Sequence, residues 1–223
     1  GDFYGQNAGL LVLNGAQVTI TGANVTTNAK NGNGVFSYGE GTVITISDSV
    51  IRTSADNSGG IQTTGGGTTY ATNLDIETQG NSAAAIRTDR GGGTVVVQDG
   101  VYVSKGTGSP AIYSTADVQV TDATLTAQAS EGVVVEGKNS VSLNNNMQGT
   151  YQGDETEHIH NIMLYQSMSG DADVGTSSFT AQGGSIVAQA GDMFYVTNTH
   201  SVINLSGVAL TLANENLLTV AGN

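Results

Sequence analysis

The chain of 223 residues holds 32 glycines, one proline, no cysteine and no tryptophan, and its 6 basic and 19 acidic side chains give a formal net charge of −13. That balance speaks against nucleic acid or an anionic membrane surface as partner, and the lack of cysteine removes disulfides, thiolate metal sites and thiol nucleophiles. No apolar run approaches the roughly 18 residues of a membrane-spanning helix, and so much glycine fits many tight turns.

Apolar runs of three to five residues, alternating or β-branched and closed by Gly, Asp, Asn or Ser, predict strands and turns along the whole chain. The stretch Gly91 to Thr126 shows one full unit: Thr94 to Val97, a Gln98-Asp99-Gly100 turn, Val101 to Val103, a Gly/Ser loop, then Ala111-Ile112-Tyr113, before the pattern restarts at Asp117. Indexed by the inward residue that ends each first strand, the units fall at Ile20, Ile46, Ala71, Val97, Val120, Leu143, Val174 and Leu205, with spacings of 26, 25, 26, 23, 23, 31 and 31.

Two positions after each marker stands Gly22, Asp48, Asn73, Asp99, Asp122, Asn145, Thr176 or Gly207, mostly residues that tolerate a left-handed backbone. A second strand carries the inward residues Val25, Ile51, Ile76, Tyr102, Leu125, Met147, Phe179 and Leu210, followed two positions on by the hydroxyl row Thr27, Thr53, Thr78 and Ser104, which ends at Ala127. A third strand carries Val35, Ile61, Ile86, Ile112, Val134, Leu164, Phe194 and Leu217 inward. The reading is an all-β, single-domain solenoid over residues 1–223, with about eight coils of three short strands. Coils stacked at roughly 4.8 Å bond to the coils above and below, and each buried aliphatic contributes roughly 1.5–3 kcal/mol.

The three-strand coil with its tight turns at Ser47-Asp48, Thr72-Asn73, Gln98-Asp99 and Thr121-Asp122 resembles the right-handed parallel β-helix of the pectate-lyase-like superfamily. The segments Asp89 to Thr94, Gly108 to Thr115, Glu136 to Ser140 and Met163 to Gly170 are similar to those in adhesin-like β-helix regions of large surface proteins of Gram-positive bacteria. That resemblance implies an extracellular, cell-surface location, a glycan or surface protein as partner, and no cofactor. No leader precedes Gly1 and the last coil has no polar cap, so further coils or domains are expected to continue the chain.

Chemistry belongs on the outside of such a helix. Glycosidases need a carboxylate pair, and Ca²⁺-dependent lyases need clustered acids beside an Arg. The outward residues of the third strand read as Phe36, Gln62, Arg87, Tyr113, Val135, Tyr165, Tyr195 and Leu218, with no acid pair among them. Asp75 and Glu77 beside Arg52 come nearest, and Arg52 with Glu77 reads as an ion pair between adjacent coils. His158 and His160, in the Asp154 to His160 segment, would point the same way in an extended chain, but a third metal ligand is not identifiable and the segment reads as a solvated loop. Asp171 and Asp173 lack the spacing of a calcium loop. Gly91 to Gly93 is a turn, not a phosphate cradle, and no His adjoins a nucleophile elbow. The Thr19/Thr21 and Thr45/Ser47 pairs decay along the helix, which weakens an ice-binding reading. The expected binding face is therefore Gln62, Arg87, Tyr113, Tyr165 and Tyr195, since aromatic rings with neighbouring amides and charges suit a sugar or a peptide. The expectation is a non-catalytic adhesin-like module, with a polysaccharide lyase or glycosidase as the alternative.

Overall fold

The computed structural model describes residues 4–150, 160–189, 191–213 and 215–222. They form a parallel β-solenoid of about eight turns, with no helix among the described residues. The third strands make a nine-stranded parallel sheet in chain order, from Leu10–Leu13 through Val35–Tyr38, Ile61–Thr64, Ile86–Thr88, Ile112–Ser114, Val133–Glu136, Ile162–Tyr165 and Phe194–Thr197 to Leu218–Ala221. Leu10–Leu13 is one rung more than the apolar pattern from Val35 onward suggests. The first and second strands join in a single sheet because Gly67–Thr78 and Gly93–Ser104 run unbroken through the corner between them.

The corner is where local sequence dictates the backbone. Asp48, Asn73, Asp99, Asp122 and Asn145 all have φ between 51° and 57°, and Gly22 and Gly207 sit at the same place with φ of 70° and 61°. Asn and Asp bear the left-handed conformation because a short polar side chain can bond locally. Here the bonds run between coils, from Asn73 Nδ2 to Asp48 Oδ1 at 2.8 Å and from Asn145 Nδ2 to Asp122 Oδ1 at 2.8 Å.

The hydroxyl row lies inside the helix, and Thr27, Thr53 and Thr78 each bond their own turn, while Ser104 Oγ is buried with no hydrogen-bond partner among the described residues. Thr53 Oγ1 donates to the Ser58 carbonyl and Thr78 Oγ1 to the Ala83 carbonyl, each at 2.6 Å, so these buried hydroxyls are not left without a partner. Tyr102 is fully buried and donates its phenol to the Asp99 carbonyl at 2.8 Å.

The register corrects several expectations, all beyond Val120. Leu143 pairs with Ala181, not Val174, so the coil steps are 38 residues from 143 to 181 and 24 from 181 to 205, instead of two steps of 31. Val174 is exposed, and the left-handed turn is made by Gly183 (φ 63°) rather than Thr176. Phe179 is inward but belongs to the first strand, opposite Val141, and Ile186 takes the second-strand position expected of it. Met147 is exposed while its neighbour Gln148 turns inward, in register with Leu125 and Ile186. Gln148 is tolerated there because it exchanges two hydrogen bonds with Asn161, at 2.9 and 3.0 Å.

In the third sheet Ile112 pairs with Val133, so Val133 and Val135 face inward and Val134 outward, the reverse of the expected faces. Leu164 is inward but pairs with Val135, and it is Leu218, not Leu217, that stacks on Phe194. Three consecutive valines, all buried, give no polar residue by which to tell the faces apart.

Candidate functional site

Parallel pairing places Phe36, Gln62, Arg87, Tyr113, Val134, Met163 and Tyr195 in one outward row of the third sheet. Glu136, Tyr165 and Thr197 form a second row two residues further along the strands. Of the five residues expected to form one binding face, Gln62, Arg87, Tyr113 and Tyr195 thus share a row, and Tyr165 lies one pleat away. They resolve into three groups.

The first group is a buried ion pair. Asp89 Oδ2 accepts from Arg87 Nε at 3.0 Å and from Gln62 Nε2 at 2.7 Å. Arg87 lies flat over Gly59 and also donates to the Asn57 carbonyl at 3.0 Å, so the guanidinium is held within the wall of the solenoid. Gln62 is fully buried, and Arg87 is nearly so. Both were expected on an open face; their long side chains instead fold back along the coil and fasten neighbouring coils together.

The second group centres on Glu136, which is completely buried. Its carboxylate accepts from Tyr113 Oη, from Tyr165 Oη at 3.2 Å, and from Ser167 Oγ. Ser169 Oγ lies 3.5 Å from the same carboxylate. Burial pushes the Tyr113 phenol well above its ordinary range, and Tyr165 and Glu136 nearby push the same way. Burial followed by the Glu136 charge does the same to Tyr165. Both rings therefore stay neutral donors.

The third group is Tyr195, whose ring stacks on His160 with centroids 4.0 Å apart and 4° between planes. His160 Nδ1 lies 3.4 Å from Asp192 Oδ2. His158, the other half of the expected histidine pair, lies outside the described residues, as do Asp154 to Glu157.

Residues 166–173 form a strap that crosses back over this face. Ser167 and Ser169 fasten it to Glu136, and Arg90 Nε bonds Asp171 Oδ1 at 2.7 Å. The strap closes one side of a cleft of about 290 Å³ lined by Ser82, Ala84, Arg87, Asp89, Gly108, Pro110, Tyr113 and Asp171. Two carboxylates, Asp89 and Asp171, thus line one cleft, although the sequence pattern showed no acid pair on this face. Asp171 comes from a loop rather than a strand, and Glu136 was concealed by the misplaced valine register.

Elsewhere, Arg52 and Glu77 are register partners as expected, but the ion pairs differ. Arg52 Nη2 bonds Asp75 Oδ2 at 2.9 Å, and Glu77 Oε1 takes Lys105 Nζ at 2.8 Å. The Lys105 ammonium holds the Glu77 carboxyl below its usual range. These are half-exposed pairs between coils, a structural use of the charges.

Comparison with protein-family models, with curated proteins and with solved structures returned no match.

Proposed function

We propose that this solenoid is a non-catalytic, adhesin-like β-helix module of an extracellular, cell-surface protein, a rigid spacer that also binds glycan or protein through the outer face of its third sheet. The observation that carries this reading is the cleft of about 290 Å³ in which the Tyr113 ring and Pro110 meet the polar groups of Arg87, Asp89 and Asp171. Small-molecule sites combine such an apolar surface with a few placed polar groups. The partners of the carboxylates favour binding over turnover: Asp89 is engaged by Arg87 and Gln62, Asp171 by Arg90, and Glu136 by hydroxyls from two strands and the strap. The likeness of the coil pattern to adhesin-like β-helix regions supports the cell-surface setting.

The test is a glycan and host-protein array run beside depolymerisation assays on pectin, alginate and glycosaminoglycans, with and without Ca²⁺. Array binding without chain shortening is expected. The second reading, a carbohydrate-active enzyme, draws on Asp89 and Asp171 lining the same cleft. Chain shortening that disappears in Asp171→Asn would establish it and overturn the first.

A further inference from the structure

We propose that the cleft between the loop tips at Ser82 and Gly108 and the strap at Asp171 is a subsite for one ring of a neutral sugar, and that it excludes uronates. This rests on the reading of the third-sheet face as a binding face and names the chemical class it takes.

Size comes first. About 290 Å³ is at the small end of the roughly 300–1,000 Å³ of small-molecule sites, room for one ring rather than a run of them. Ala84 and Pro110 supply apolar wall. The Tyr113 ring is held in place by its own hydroxyl, which donates to buried Glu136, so an aromatic surface is fixed before any ligand arrives. A pyranose presents an apolar face of C–H groups to such a ring and a rim of hydroxyls around it.

The polar lining then selects among sugars. Arg87 is committed to Asp89 and the Asn57 carbonyl, and Arg90 to Asp171, so neither cation is offered as an open anion site. Arg90 takes Oδ1 of Asp171 and leaves Oδ2 as an acceptor. An ionised carboxylate accepts and does not donate, so it suits sugar hydroxyls, whereas a uronate carboxylate would meet two acids whose cations are already engaged and no further cation among the cleft's described lining residues. The net charge of −13 acts in the same direction at longer range.

The experiment uses the whole chain with methyl glycosides of neutral hexoses and with galacturonate, by saturation-transfer NMR and titration calorimetry. Two variants accompany it. Asp171→Asn keeps the side-chain shape and removes the charge. Gly108→Asn fills the cleft mouth at a φ of 61°, which Asn tolerates, and its Cβ would meet only Ser82 Oγ at 4.0 Å. A neutral glycoside should bind, galacturonate should not, and each variant should weaken binding roughly ten- to a hundredfold, the worth of a hydrogen bond to a charged group, with only a small change in melting temperature, since the Arg90–Asp171 pair lost in Asp171→Asn is solvent-exposed on its Arg90 side. Galacturonate binding that both variants abolish would overturn the sugar class while leaving the binding face intact. Neutral-sugar binding indifferent to both variants would overturn the location. If neither sugar binds while the array identifies a protein ligand on this face, the subsite fails and the binding reading survives; silence in every arm sinks both.

Discussion

Asn73 shows what a single residue decides in this solenoid. Its φ of 53° is open to Asn at little cost and closed to β-branched side chains, and its amide reaches the Asp48 carboxylate one coil away. Asn73→Val should therefore lower stability by about 1–2 kcal/mol in urea unfolding. Asn73→Gly, which loses the amide but relieves the backbone, should stay within about 1 kcal/mol. A second residue-scale consequence follows from three phenols, Tyr102 fully buried and Tyr113 and Tyr165 half-buried. Burial raises the pKa of Tyr102, Tyr113 and Tyr165 above the ordinary value of about 10. Above that value the unfolded chain loses these protons while the folded chain keeps them, so the phenols' contribution to stability is constant below about pH 10 and falls as pH rises beyond it. Tyrosinate absorbance from these three should appear together with the loss of β-sheet circular dichroism; ionisation of every tyrosine before unfolding would contradict their burial.

At the scale of elements, the strand Val133–Glu136 joins core to site. Val133 and Val135 face the interior, while Val134 and Glu136 face outward, and Glu136 holds the strap through Ser167 and Ser169. Removing one partner of a buried polar cluster leaves the others unsatisfied. Glu136→Ala should therefore cost about 1–3 kcal/mol. Amide exchange should quicken by at least about tenfold at residues 167–171, the equivalent of about 1.4 kcal/mol in local opening. The strand Ile162–Tyr165 should keep its protection, since parallel pairing on both sides holds it independently of the strap. Equal loosening of strap and strand would show that Glu136 supports the coil itself rather than the strap.

For the whole molecule, stacking makes stability a matter of neighbours. Ile86, Ile112 and Val133 are fully buried between coils, whereas in the last described coil Leu205 is 41 % exposed and Val220 67 %. Hydrogen exchange should be fastest in Ser201–Ser206 and Leu218–Ala221 and slowest from Val43–Ser47 through Ser140–Asn144. Uniform protection along the axis would show that the solenoid opens only as a single unit.

The sequence by itself determined the coil: strands of period two, left-handed corners at Asp48, Asn73, Asp99, Asp122 and Asn145, and inward Ile46, Ile76 and Ile112. Those features are local, since a turn residue and an alternating run act within a few positions. What lay beyond it was set by partners far along the chain. The step of 38 residues from 143 to 181 hid the register, and Gln148 is an inward residue only because Asn161 meets it. The cleft depends on Arg90 finding Asp171, 81 residues away, and on Glu136 finding Ser167, 31 residues away. Contacts of that kind come from coil stacking and loop return, which leave no period in the sequence, so only the tertiary structure could place two carboxylates and a tyrosine around one cleft.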